Sequence, residues 1–332
     1  MRALDEFTEW LATYVYPDTH GRLPEGLHLN YHARSDAHSV RLMELIVEDL
    51  LDSCAIIRDQ AGQGKIAYGI NYAFIWPNGK RKTLDLVIGI PVVKIEPSGS
   101  RIRQLRYRGG TLRPRVEETE QFARILIACE AKAIMTEHRK SQPRVFDELN
   151  GSHAIVHAGS RDTIAAGITV VNISDTFVSA LRQRRGQPVE ITVHTQPLDA
   201  AAMVEHLRGL PVRDSLDAVG FDAYCTFVMN VDNQGRVALW TEPPAPQPGE
   251  RDAYDTFLSR ICRIYAQRIG DLSRVPAASG VSVEEALAAL ERQYPGLLDA
   301  AGRFVVEAGH PGAPELQAIL RAIAAQARHG PA

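Results

Sequence analysis

Three ionisable residues interrupt segments that otherwise read as buried strands. Asp85 breaks the apolar run Leu84-Asp85-Leu86-Val87-Ile88, and Glu130 and Lys132 break the run ILIACEAKA at 125–133. Residues two apart on a strand point to one face, so Glu130 and Lys132 share it. Their neighbours Ala128, Cys129, Ala131 and Ala133 are small and apolar. A carboxylate and an ammonium in such surroundings are costly unless each has a partner or a metal. A paired internal salt bridge is one resolution. A divalent cation is the other, and it accounts for Asp85 as well. Asp85 and Glu130 offer hard oxygen ligands suited to Mg²⁺, with Mn²⁺ able to substitute, and the main-chain carbonyl of Ala131 is a third ligand. Lys132 would then stabilise charge that builds on a phosphate group.

The elements that must position these residues follow from periodicity and turn chemistry. Val40, Met43, Val47, Leu50 and Leu51 recur at helical spacing over 36–53, with Ser35 or Asp36 as the cap. A strand is expected over 66–76, a turn at Pro77-Asn78-Gly79, and a second strand over 84–90 that pairs with the first as a hairpin. Residues 125–133 make a third strand. Pro143 behind Ser141 marks the first position of a helix running to about 157. A buried fourth strand covers 164–173, and a further helix is expected over 175–182. The order α-β-β-β-α-β over 36–174 gives an α/β chain with a mixed sheet flanked by helices. A short helix over 7–14 precedes it. Downstream, the pattern reads as a strand (189–193), a helix (198–207), a hairpin (224–231 and 236–241, turning at Asp232-Asn233-Gln234-Gly235) and a helix (251–268). Ser282-x-x-Glu285 opens another helix by a capping box.

Asp85 followed by Glu130-Ala131-Lys132, on the second and third strands of this order, resembles the PD-(D/E)xK nuclease superfamily. The resemblance covers 36–174, about 40% of the 332 residues. It implies a restriction-endonuclease-like αβββαβ core and metal-dependent hydrolysis of phosphodiester bonds, with DNA the favoured substrate and 5′-phosphate and 3′-hydroxyl products. Analogy suggests restriction or phage defence as the setting. Leu84 stands where many members carry Pro. The interval between Asp85 and Glu130 holds 44 residues, so it requires an insertion, which 92–124 supplies. Members of the superfamily often carry an acid on the first helix facing the metal. Glu44, which borders the apolar face, is the favoured candidate, ahead of Glu48. The chain therefore divides into an N-terminal extension (1–35), a nuclease core (36–188), an α/β extension of that core (189–270) and a helical C-terminal region (271–332).

The insertion is basic. From Lys94 to Arg115 it carries seven basic residues, Arg101, Arg103, Arg106 and Arg108 among them, against the single acid Glu96. Such a ribbon suits a phosphate-backbone clamp, or else a solvated hairpin packed on the acidic run after it. Lys140 and Arg144 would reinforce phosphate binding at a helix N-terminus, unless Arg144 simply pairs with Glu148. His153 reads as packed, and His38 as a minor candidate. The net charge of −3 requires that nucleic acid be held by a local basic patch. Isolated cysteines, the absence of a signal-peptide pattern and the absence of a long apolar run point to a reduced, cytoplasmic protein that does not enter a membrane. A homodimer or partner subunit through 189–332 is compatible with double-strand cutting. Two other functions fit the chain: a catalytically silent nucleic-acid-binding or assembly subunit, and a hydrolase of RNA or nucleotides.

Overall fold

The computed structural model describes residues 2–75, 81–91, 122–270 and 272. The expected first long helix is α2 (Ala37–Ser53), in which every residue from Leu42 to Leu51 is buried. A helix buried all round must lie between layers. One flank is α1 (Arg2–Thr13), which inserts Ala3, Leu4, Phe7 and Leu11 into the same core. Three acids of α2 find partners across this contact. Arg2 reaches Glu48 at 2.7 Å and Asp52 at 3.1 Å, and Asp49 accepts the Ala3 N–H at 3.1 Å. A short helix, α3 (Ala55–Gly62), follows at Cys54 and was not expected.

The strands are β1 (Ala67–Ile75), β2 (Arg81–Pro91), β3 (Phe122–Ile134) and β4 (Ile164–Asn172), then β5 (Thr176–Phe177), β6 (Thr192–Val193), β7 (Ala223–Val231) and β8 (Val237–Trp240). Six of them form one mixed sheet in the order β1-β2-β3-β4-β7-β8. The pairs β1–β2, β2–β3 and β7–β8 are antiparallel, whereas β3–β4 and β4–β7 are parallel. Parallel neighbours need crossovers, and the helices α4 (His138–Gly159) and α5 (Leu198–Arg208) provide them. Both cover one face, with Val145, Leu149, Met203 and Leu207 packed on Ala128, Ala165 and Val228. Helices α1, α2 and α6 (Tyr254–Arg268) cover the other. The central strand β4 is buried at all nine positions, as a strand covered on both faces must be.

The structure departs from the sequence reading in three further places. The expected helix over 175–182 is absent; β5 and turns stand there instead. Its backbone bonds run outward: His194 N–H to Asp175 O at 2.8 Å and Val178 N–H to Asp232 O at 3.0 Å. Helix α4 begins five residues before Pro143, which lies inside it. Its first turn is pinned by buried His138, whose Nε2 meets the Asn172 carbonyl at 2.7 Å. Strand β3 starts at Phe122, inside the range assigned to the insertion. The remainder of that insertion, with Arg101, Arg103, Arg106 and Arg108, lies outside the described residues, as does nearly all of 271–332. Among the described residues, no helix is long and apolar enough to cross a membrane.

Candidate active site at the divergence of β2 and β3

Strands β2 and β3 pair as far as Leu86↔Cys129, and the ladder stops there. The next residues are Asp85 and Glu130. The Asp85 carboxylate occupies the gap, where its Oδ2 accepts the Ala131 N–H at 2.7 Å. On the other side of β2, Asn71 opposes Asp85 with φ of 51°, a left-handed residue that distorts β1 at this level. The acid therefore sits mid-strand but off the regular ladder.

Glu130 is buried at 7% exposure. Its Oε1 receives Lys132 Nζ at 2.8 Å, and its Oε2 lies 3.4 Å from Lys82 Nζ. Among the described residues, that Oε2 has no hydrogen-bond donor. Helix α4 closes the arrangement along one stripe, at Arg144, Glu148 and Ser152. Glu148 lies 3.4 Å from Lys132 and 3.0 Å from Arg144, and Ser152 Oγ accepts Lys82 Nζ at 2.7 Å. The internal salt bridge anticipated as one resolution is present between Glu130 and Lys132. The expected Arg144–Glu148 pair is present too, with Arg144 exposed, and Glu148 reaches Lys132 as well.

Asp85 is different: among the described residues it has no ion pair, only the Ala131 N–H. Burial, and then the Glu130 charge, push its carboxyl up to about 6, against the pull of Ala131, Lys132 and Lys82. Burial pulls the Lys132 ammonium down, but Glu130, Glu148 and Asp85 more than offset it, so the group stays charged. Glu148 is held below the ordinary glutamate range, because Lys132 and Arg144 outweigh its partial burial.

Asp85, Lys132, Arg144 and Glu148 line a cavity of about 320 Å³ whose far wall is Phe7, Tyr31 and His38. Glu130 lies behind Lys132 and outside that lining. Glu44 is also outside it: buried at 8% exposure, it lies 3.5 Å from Arg41. His38, one and a half turns earlier on α2, reaches the cavity instead. Its Nε2 meets the Asn30 carbonyl at 3.1 Å, and burial holds its pKa below the usual histidine range. Lys140 is exposed and pairs with Glu137 at 3.4 Å. His153 is packed against Phe221, as expected. Lys82, Glu148 and Ser152 were not singled out for the site by sequence. The Arg144/Glu148/Ser152 spacing was the available signal, but it does not reveal which face of α4 meets β3.

The donor set fits a hard divalent cation. Asp85 and Glu130 are close enough to perturb each other; among the described residues Asp85 has no ion pair, and the Glu130 Oε2 has Lys82 at 3.4 Å but no hydrogen-bond donor. In an extended strand a residue's N–H and C=O point the same way, so the Ala131 carbonyl shares the side on which its N–H meets Asp85. Among the described residues no group of three or more His, Cys, Asp and Glu side chains converges, so main-chain oxygen and water must complete any such shell. No family model, curated protein or solved structure compared with the chain matches it.

Proposed function

We propose that the chain is a Mg²⁺-dependent phosphodiesterase, an endonuclease acting on DNA, built on a restriction-endonuclease-like core of the PD-(D/E)xK type. The observation that carries this reading is Asp85: a cavity-lining carboxylate beside a second carboxylate, without an ion pair among the described residues, standing just past the last β2–β3 rung where the two strands part. The strand neighbourhood supports it, since β1 to β4 lie side by side in chain order with α4 crossing between parallel β3 and β4. Asp85, Glu130 and the Ala131 carbonyl would hold the ion. Mg²⁺, or Mn²⁺ in its place, supplies Lewis-acid polarisation of the scissile phosphate and makes the attacking water more acidic.

The side chains do the rest. Lys132 presents a permanent positive charge to the phosphate oxygens as negative charge develops on them. Glu148 fixes the Lys132 ammonium from the helix side, and Arg144 at the cavity rim engages a neighbouring phosphate. Charge balance favours an anionic substrate. Three carboxylates (Asp85, Glu130 and Glu148) stand with three cationic groups (Lys82, Lys132 and Arg144), so a bound divalent ion leaves a surplus that a phosphodiester can neutralise.

One observation favours a second reading. The Glu130–Lys132 pair at 2.8 Å satisfies both groups internally, as suits a nucleic-acid-binding subunit that does not cleave. The test is purified protein on plasmid, single-stranded DNA and RNA with Mg²⁺ or Mn²⁺, beside Asp85→Ala and Lys132→Ala, with Mn²⁺ binding followed by calorimetry. We expect cation-dependent cleavage of DNA, with Mn²⁺ binding lost in Asp85→Ala but kept in Lys132→Ala, and kcat lowered about 10²–10³-fold in the latter. Cleavage that survives both substitutions overturns the site. DNA binding without cleavage on any substrate favours the second reading.

A further inference from the structure

A second cavity, of about 900 Å³, lies on the other side of the segment that walls the first. Residues 31–35 divide between the two. Tyr31, Ala33 and Ser35 line the Asp85 cavity, and His32 and Arg34 line the second. This is the alternation of an extended chain.

Four arginines surround the second cavity: Arg22, Arg34, Arg184 and Arg185. Among the described residues none of them lies within salt-bridge distance of a carboxylate. The single acid in the wall, Asp18, turns its Oδ2 to the Leu23 N–H at 2.8 Å, and such main-chain donors hold its carboxyl below the ordinary range. Four guanidinium groups against one carboxylate leave the concave surface positive, and the field they sum to attracts anions.

The walls are held in place. Buried Gln183 braces the loop that carries Arg184 and Arg185, donating to Ser179 O at 3.0 Å and Glu190 O at 2.9 Å and accepting Glu190 N–H at 3.1 Å. Fully buried Asn233 joins the two sides of the pocket. Its amide donates to Tyr31 O at 2.9 Å and Val178 O at 2.7 Å, and its Oδ1 accepts the Tyr31 N–H. The His32 ring stacks on Tyr16 at 4.3 Å between centroids and 11° between planes, a flat aromatic pair in the basic wall. The backbone that carries the arginines is thus braced, while the four arginine side chains themselves are exposed and open to an anion.

We propose that this pocket binds the oligophosphate group of a nucleotide, independently of the Asp85 site. The guanidinium groups take the phosphates by forked hydrogen bonds, and the Tyr16–His32 pair offers a surface to the base. The volume suits a small ligand enclosed on several sides.

The test uses the full chain with inorganic tripolyphosphate, ATP and a 20-nucleotide single-stranded DNA as probes, in calorimetry and thermal shift. Arg34→Ala/Arg185→Ala replaces two exposed side chains, so folding is retained; circular dichroism checks this. Wild type is expected to bind tripolyphosphate and ATP and to melt higher with either. The double variant should bind each at least about tenfold more weakly, and Asp85→Ala should bind both as wild type does. Tighter binding of ATP than of tripolyphosphate assigns the base a contact; equal binding assigns the affinity to the phosphates alone, and both support an oligophosphate site. The proposal is overturned if neither small anion binds at millimolar concentration, if only the DNA binds, or if the double variant binds them unchanged. Because Asp85→Ala disables only the cation site, failure of the nuclease reading leaves this result intact.

Discussion

Asp85 owes its properties to two causes, its burial and the charge of Glu130, and both oppose its ionisation. A carboxyl whose folded pKa lies at about 6, above the ordinary 3.8, binds a proton more tightly in the folded state, so the fold loses stability as pH rises from 3.8 through about 6. Asp85→Asn keeps an oxygen for the Ala131 N–H and removes that penalty. The cation-free variant should therefore be more stable at pH 8 by about 1–3 kcal/mol, read as a higher Tm, while losing cation-dependent activity. A lower Tm at pH 8 would mean that the charge is already neutralised. Glu44 poses the opposite question. It lies away from the cavity, so Glu44→Gln should leave the cleavage rate within about threefold of wild type, whatever it does to stability. A loss of the size seen on removing a metal ligand would return Glu44 to the site.

At the scale of elements, the site depends on where β2 and β3 stop being regular neighbours. They part at the Asp85 end, and their ladder also shifts register at Ile88/Gly89 and Ile90/Pro91. At the first shift a Cβ on Gly89 would run into the Arg124 carbonyl and the Phe122 ring. Gly89→Ala should cost roughly 1–3 kcal/mol by denaturant unfolding, because backbone and not a flexible side chain must yield. An unchanged unfolding midpoint would show that the two strands approach less closely. Helix α4 contributes its stripe of Arg144, Glu148 and Ser152 only because it crosses between parallel strands, which lays its whole length over β3 and β4.

At the scale of the molecule, Asp222 ties separate parts of the chain together. It is fully buried, receives Arg213 through both oxygens at 2.9 and 3.0 Å, Arg268 at 2.6 Å, His157 at 3.1 Å and the Ala165 N–H at 2.9 Å. Burial works against its charge, but His157, Arg213 and Ala165 prevail and hold the carboxyl at about 2. The pKa is depressed below 3.8, so the stability it contributes is present above that pH and is lost as pH falls toward 2. The amount is about 2 kcal/mol, measurable as a drop in unfolding free energy between pH 5 and pH 2.5 that Asp222→Asn does not show. The same substitution at pH 7 should cost about 3–5 kcal/mol, because Arg213 and Arg268 are left without their charge partner.

Local chemistry made much of this legible in the sequence. Lone charges in apolar strands exposed Asp85, Glu130 and Lys132, helical spacing located α2 and α5, and alternation with turn residues located the β7–β8 hairpin. These signals are short-range: hydrophobic period, capping and turn preference act within a few residues. Tertiary structure decided what they could not. Segment 175–182 took its backbone partners from 194 and 232 and so formed no helix. His138 reached Asn172 and drew the start of α4 upstream past Pro143. The face α4 turns to β3 recruited Glu148, and the rotation of α2 sent His38, not Glu44, to the cavity. The pairing of Arg22 and Arg34 with Arg184 and Arg185 spans some 150 residues of sequence. No local pattern records a contact of that range, because its energy exists only once the sheet has brought the two loops together.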